Sequence, residues 1–250
     1  MVRLRSAEGR AVTERRLHVT ALPQRGGALA LDQAASRHVR VLRLRPGDRI
    51  ELFDGRGNAA AAYIESLGEH VVCVAEPPTR TARCGARVVL ILGLPKGSKL
   101  DDCVRMATEL GVDEIALMRT ERSVPRWDTD KARARIDRLA RIAAEAAAQS
   151  ERSDVPVVHL PRPCGALLDT IPPDARGLVF GARATSALEL HGTPEQVWCA
   201  VGPEGGFSDH ELASFEAAGF SRVSLGPTIL RVDTAVAAAL AVVQDRLRTL

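Results

Sequence analysis

The stretch "VGPEGGFSDHEL", Val201 to Leu212, decides how the rest of the chain is read. An apolar run, Val197-Trp198-Cys199-Ala200-Val201, enters a glycine-rich turn, and Ser208-Asp209-His210-Glu211 leaves it. Strand-to-helix turns of this kind are where α/β sheets hold ligands. This one lacks the Lys-Ser/Thr pair of a phosphate-binding P-loop, and it lacks G-x-G-x-x-G spacing. Glu204 sets a negative charge in the turn that would repel a pyrophosphate. Ser208 and Glu211 stand at capping-box spacing, so side chains satisfy the first amides of the next helix, the donors an anion would need. The turn suits either a phosphate-free ligand approached closely by backbone, or a tight connection with no ligand.

A second stretch, "SLGPTILRVDTAVAAAL" (224–240), repeats the theme: strand, Gly-Pro turn, irregular segment, helix. Asp233 or Thr234 is placed to cap a helix whose apolar residues Val236, Leu240, Val243 and Leu247 recur at helical spacing. Ile229 and Leu230 form an apolar pair inside a loop, which calls for a cover. Arg231 and Asp233 flank that pair, as a surface ion pair or as working groups. Two Gly-Pro turns at neighbouring strand ends predict the walls of one crevice.

Around these stretches the C-terminal part alternates. "VVLILGL" (88–94) is a buried strand. A helix follows, capped by Ser98, with Leu100, Cys103, Val104, Ala107 and Leu110 on one face and Gly111 at its end. Strands are expected at "EIALM" (114–118), "VPVVH" (155–159), "GLVF" (177–180), "QVWCAV" (196–201) and "RVSL" (222–225), with a long helix over 130–149. The alternation predicts an α/β domain with a parallel sheet over 88–250.

The N-terminal part has a different rhythm. Residues 1–15 are polar and aperiodic, a loose tail. Over 16–75 short strands, "RLHVTAL", "ALAL", "RIELFDG", "AAAYIESL" and "HVVCVAE", predict a small β-barrel. One helix, "DQAASRHVRVLR" (32–43), is capped by Asp32; Ala35, Val39 and Leu42 line one face and Arg37 and Arg40 the other. The Pro-containing stretch 76–87 is the expected linker.

With 46% hydrophobic and only 3% aromatic residues, aliphatic side chains must fill the cores. Residues 1–49 hold eleven Arg against four acids, an excess that fits either a polyanion such as nucleic acid or a solvated basic surface. The five scattered cysteines contain no C-x-x-C pair, which argues against a disulfide framework and a zinc knuckle and for a reducing compartment. No apolar run is long enough for a membrane span and no secretory signal is legible, so a soluble cytoplasmic protein is expected.

"VGPEGGFSDHE" and "LGPTILRVDTA" together resemble the signature of the bacterial small-subunit ribosomal RNA uridine-N3 methyltransferases, members of the SPOUT class. The resemblance extends to "VLRLRPGDRIELFDG" (41–55), "LPKGSKLDDCVRMATELGV" (94–112), "ERSVPRW" (121–127) and "AAQSERSDVP" (147–156). It implies a PUA-like N-terminal barrel, a trefoil-knotted C-terminal α/β domain, S-adenosylmethionine as cofactor and a homodimer, with small-subunit RNA or the assembled subunit as partner and no metal. By match, the cofactor residues are Phe180, Gly181, Val201, Gly202, Pro203, Glu204, Gly205, Gly206, Leu225, Gly226, Ile229, Leu230, Arg231, Thr234 and Ala235. RNA contacts fall on Arg37, His38, Arg40, Arg43, Arg45 and Arg122. The chain departs from the family pattern at Asp233 (for Glu), Val232 (for Thr), Ala148 (for Glu) and Arg37 (for His, with His38 one place late).

The implied chemistry needs a uridine N3 that has lost its proton. An enzyme can supply a base, or stabilise the negative charge that spreads to the flanking carbonyl oxygens. Arg231 suits the second task, since its fork of donors stays charged. Asp233 or Glu204 is the base or orients Arg231. Two rivals are a non-catalytic RNA-binding protein, and a dinucleotide-dependent oxidoreductase, which the missing G-x-G-x-x-G disfavours.

Overall fold

The computed structural model describes residues 15–81, 85–123, 127, 129–181, 184, 186–190 and 192–248. Of the tail expected over 1–15, only Arg15 falls among them; Cys84 and residues 124–126 of "ERSVPRW" fall outside. The chain divides into two units. One runs to Ala82 and takes in Glu151–Asp154; the other comprises Arg83–Ser150 and Val155–Leu250. The first therefore claims four residues that the linear reading gave to the second.

The first unit contains β1 (Arg15–His18), β2 (Gly27–Ala30), α1 (Gln33–Val41), β3 (Arg49–Phe53), β4 (Asn58–Leu67), β5 (Val71–Ala75) and β6 (Thr79–Arg80). Its sheet runs β1-β3-β4-β5-β2, with β6 beside β4. Only β1 and β3 are parallel, so the sheet is mixed. β6 lies inside the expected linker, whose Thr79 and Arg80 pair with Ala59 and Asn58. Asp32 caps α1 by accepting from the Ala35 N–H at 2.8 Å. Ala35 and Val39 then pack on Leu17, Ile50, Leu52, Ile64 and Val71. Buried Ser36 is satisfied twice, donating to Leu31 O and accepting from Val71 N–H. Arg16, with 7% of its side chain exposed, donates to Glu51 (2.7 Å), to Arg152 O (2.8 Å) and to Ser153 Oγ (2.9 Å).

The second unit contains β7 (Arg87–Gly93), α2 (Lys99–Glu109), β8 (Glu114–Arg119), α3 (Thr129–Gln149), β9 (Val157–Pro163), α4 (Cys164–Leu168), β10 (Arg176–Phe180), β11 (Gln196–Val201), α5 (Asp209–Ala217), β12 (Ser221–Val223) and α6 (Val232–Arg248). The sheet order is β12-β10-β11-β7-β8-β9, and every pairing is parallel. Such a sheet must be covered on both faces, and β7 shows how. Val88, Leu90 and Leu92 face Leu100, Val104, Leu139, Val236, Leu240 and Val243 of α2, α3 and α6. Val89 and Ile91 face the other way, among Trp198, Phe207, Phe215 and Phe220. Truncating one of these buried aliphatics to Ala costs about 2–5 kcal/mol.

Two helix starts differ from expectation. Ser98 adopts helical backbone angles and its side chain makes no capping bond; Asp101 and Asp102 in the first turn of α2 complement the helix dipole instead. α6 begins at Val232, so Asp233 and Thr234 lie within its first turn and do not cap it. Gly111, at φ +82°, ends α2 as expected. No helix among the described residues is long and apolar enough to cross a membrane, and none of their His, Cys, Asp and Glu side chains form a cluster of three suited to a metal ion.

Candidate functional site

In a parallel sheet all the carboxyl ends of the strands lie along one edge, and ligands gather there. β10 ends at Phe180 and β11 at Val201, and a cleft of about 670 Å³ opens beside them. One wall is the glycine-rich turn, Gly202 to Phe207. The other is the stretch from Leu225 to Ala235. The crevice expected from the two Gly-Pro turns is therefore formed. Val179, Phe180, Val201, Leu212, Leu225 and Leu230 make much of the lining apolar, while Lys99, Arg122, Glu204 and Arg231 supply charge.

The first wall is tightly built. A Cβ on Gly93, the last residue of β7, would sit 2.5 Å from Pro203 Cδ, so the turn presses directly on the strand end. Gly206 takes φ +66°, the left-handed region that a side chain disfavours. Arg122 Nη1 donates to Gly205 O and Phe207 O, both at 3.0 Å. Glu204 accepts from the Lys96 N–H at 3.2 Å and pairs with Lys99 Nζ at 3.3 Å. Partial burial opposes its charge. The hydrogen bonds from its own N–H and that of Lys96, with the Lys99 ammonium, outweigh that burial and hold the carboxyl below the usual range. Ser208 and Glu211 form the expected capping box: the Ser208 side chain accepts from Glu211 N–H, and Glu211 accepts from Ser208 N–H. Glu211 is 2% exposed, and its other oxygen accepts from the Glu121 N–H at 2.9 Å, tying the strap after β8 to the same wall.

The second wall is loose by comparison. Its one side-chain bond of its own is the exchange between Ser224 Oγ and Gly226. Ile229 is 88% exposed. Arg231 lines the cleft, is exposed, and meets no carboxylate within ion-pair distance among the described residues. The surface ion pair with Asp233 is not formed. One Asp233 oxygen is buried without a hydrogen-bond partner. Burial first, and then the carboxylates of Asp233, Asp102 and Glu204, push the Cys103 thiol up to about 12.

Of the expected cofactor residues, Phe180, Gly181, Val201 to Gly206, Leu225, Gly226, Ile229, Leu230, Arg231 and Ala235 line the cleft, and Thr234 does not. Of the three expected catalytic residues, Arg231 and Glu204 line it and Asp233 does not; in the first turn of α6, Asp233 lies close enough to α2 for its charge to act on Cys103. Arg122, expected on RNA, braces the turn. In the first unit Arg37, His38, Arg43 and Arg45 are exposed, with Arg43 in the left-handed region at φ +55°. Arg40 is exposed as well, but its Nη2 is occupied by Gly68 O (2.6 Å) and Glu69 O (2.8 Å). Sequence reasoning missed Lys96 and Lys99. The signal was present: "PKGSK" follows β7 directly and so lies at the carboxyl edge.

The chain thus pairs a cleft at the carboxyl edge of an all-parallel sheet with a second unit built on a mixed sheet. Residues 83–244 match the RNA methyltransferase domain family, and residues 31–75 match the RNA methyltransferase PUA domain. The ribosomal RNA small subunit methyltransferase E of Synechocystis sp. is 35% identical over 208 residues, 81% of this chain and 67% of that protein. Its counterpart from Mycobacterium bovis is 30% identical over 239 residues, 90% of this chain and 89% of the other. The crystal structure of the Neisseria gonorrhoeae enzyme of that name, bound to S-adenosyl methionine, superimposes with a TM-score of 0.86 at 29% identity, covering 93% of this chain and 98% of the other. A Legionella pneumophila methyltransferase in complex with the same cofactor gives 0.88 at 28% identity, covering 94% and 98%. The chain belongs to the ribosomal RNA small subunit methyltransferase E family, and its fold is of the SPOUT type with an N-terminal PUA domain.

Proposed function

We propose that this chain transfers a methyl group from S-adenosylmethionine to N3 of a uridine in small-subunit ribosomal RNA. The observation that carries the reading is the meeting, in one cleft, of a phosphate-hostile glycine turn and a loop that presents an unpaired Arg231. The donor set fits the cofactor. Apolar walls suit its adenine, close backbone at 202–206 suits its ribose and amino-acid portions, and the Glu204 carboxylate in the turn, bonded to Lys99, opposes a phosphate. When bound, the cofactor supplies a methyl group on a positively charged sulfur.

The residues of the chain do the rest. The braced turn holds the ligand in place without reorganising, which favours in-line transfer. Arg231 stabilises the negative charge that spreads over the uracil carbonyls as the N3 proton passes to solvent water, and the N3 lone pair then takes the methyl group. Glu204, already bonded to Lys96 and Lys99 and held below the usual carboxylate range, is a weak base. Asp233 lies off the cleft, so its part is in positioning the start of α6. Transfer of labelled methyl groups from S-adenosylmethionine to small-subunit RNA, mapped by mass, tests the assignment. Label on another nucleotide, or none, would refute it.

The working unit is a homodimer formed by the second domain, whose C-terminal segment threads a trefoil knot. The support is the small-residue surface of α6, where Ala238 is half-buried, Ala241 is exposed and Val242 is 40% exposed. A monomer mass by light scattering at micromolar concentration would count against it. The basic surface of the first unit, with Arg37, Arg43 and Arg45, grips RNA, and the second unit does the chemistry. The site of action is the cytoplasm, where the ribosomes are.

A further inference from the structure

α3 starts at the same sheet edge as the cleft. β8 runs parallel to β10 and β11, so its last residue, Arg119, lies at the carboxyl edge. α3 leaves from there and returns to the start of β9 at the amino edge, which keeps its first half near the cleft side. That half is basic. From Arg133 on, and running just past its middle, Arg133, Arg135, Arg138 and Arg141 fall within nine residues and are exposed, with Asp137 the one acid among those nine. The buried Leu139 and Ala143 fix the opposite face on the sheet.

These arginines are of two kinds. Arg138 is paired with Asp101 of α2, and on α2 itself Arg105 is held by Asp102 at 2.8 Å. These are solvated structural arginines, each with its carboxylate. Arg119, Arg133, Arg135 and Arg141 meet no carboxylate within ion-pair distance among the described residues. Arg135 lies over the Trp127 ring, 5.1 Å from its centre, and Arg141 touches only a backbone carbonyl, that of Asp137, at 3.4 Å. Exposed Ala134 and Ala140 are the small neighbours of Arg133 and Arg141, and Asp137 stands one turn from each. From Arg133 to Arg141 the helix rises about 12 Å, enough to meet more than one phosphate of a strand.

We propose that the exposed arginines of α3 without a carboxylate partner, Arg133 and Arg141 on one face with Arg135 round the helix from them, form an RNA-contact surface carried by the catalytic unit and independent of the basic surface of the first unit. It rests on the reading of the chain as an enzyme acting on RNA. The chemistry recognised is the phosphate backbone, so the contacts position the strand beside the cleft without reading sequence.

The test is filter binding of a small-subunit RNA transcript to the full-length protein over a salt series. Arg133→Ala/Arg141→Ala should weaken binding several-fold and make the log–log salt slope shallower by about two units, one per lost phosphate contact. Arg105→Ala removes a paired arginine nearby and should leave the slope unchanged. S-adenosylmethionine affinity by calorimetry and the melting temperature should match the unaltered protein in both variants. A double variant that keeps its slope, or an Arg105→Ala that loses as much, overturns the proposal. Methyl transfer by the unaltered protein is followed in parallel; its absence would bring down the enzymatic reading, while the slopes still decide the surface.

Discussion

The turn 202–207 and the loop 225–231 face each other across one cleft, and they are held in opposite ways. The turn is gripped from three sides, by Arg122, by Lys96 and Lys99 through Glu204, and by Glu211 through Ser208. The loop keeps one local bond and exposes its largest apolar side chain. Preorganisation is worth most where a ligand must fit without rearrangement. The braced wall is therefore the part shaped in advance, and the loose wall is the part that binding completes.

The comparison is broken most severely at Arg231. Arg231→Ala should lower kcat by about 100-fold or more, with folding intact because the side chain is exposed. Arg231→Lys should not restore the rate, since an ammonium cannot reproduce the fork. Near wild-type turnover in single-turnover assays would remove Arg231 from the chemistry. On the braced wall, Arg122→Ala leaves two carbonyls without a charged donor. Such bonds are worth about 1.5–3 kcal/mol, so S-adenosylmethionine affinity should fall about tenfold or more by calorimetry. An unchanged dissociation constant would mean the turn holds its shape without the brace.

The Glu204 latch gives a smaller, pH-dependent effect. Its folded pKa is depressed, so its contribution is complete above the ordinary carboxylate value of 4.5 and is lost as pH falls through the lower folded value. Cofactor affinity should accordingly hold down to the ordinary carboxylate value of 4.5 and drop below it, and Glu204→Gln should flatten that acid limb. An acid limb that persists in the variant would point to another group. The smallest effect belongs to Ile229→Ala. At 88% exposure its loss should change stability by no more than about 0.5 kcal/mol in chemical denaturation. A larger loss would show that the loose wall is packed in the free protein after all.

Much of this cleft was legible in advance, because it depends on local signals. Glycines after Val201, the Ser208 to Glu211 spacing and the second Gly-Pro turn each report short-range backbone geometry. The neighbouring strand ends followed from the parallel sheet that the alternation implied. What stayed hidden depends on contacts distant in sequence. Nothing local reveals that Arg122 reaches Gly205 or that Lys99 reaches Glu204. The short α4, with five residues, and the two-residue β6 lie below the length at which periodicity can be counted. Asp233 resembles a cap by residue type, yet α6 starts one residue earlier, and the carboxylate lies inside the first turn, where the helix dipole favours it.

The assignment of Glu151–Asp154 to the first unit has a consequence for how the chain is made. Arg16 is almost wholly enclosed, and two of its hydrogen-bond acceptors, Arg152 O and Ser153 Oγ, belong to that segment. Gly57 N–H also donates to Ser153 O at 3.0 Å. During synthesis these partners leave the ribosome only after β7, α2, β8 and α3. The amino-terminal unit is therefore completed late: Arg16 has Glu51 as its partner, but not Arg152 O or Ser153 Oγ, until two of the six strands of the following sheet have been made. A fragment ended near residue 82 would keep the Arg16–Glu51 pair but leave the other guanidinium donors to water, so the first unit made is not the first that can be finished.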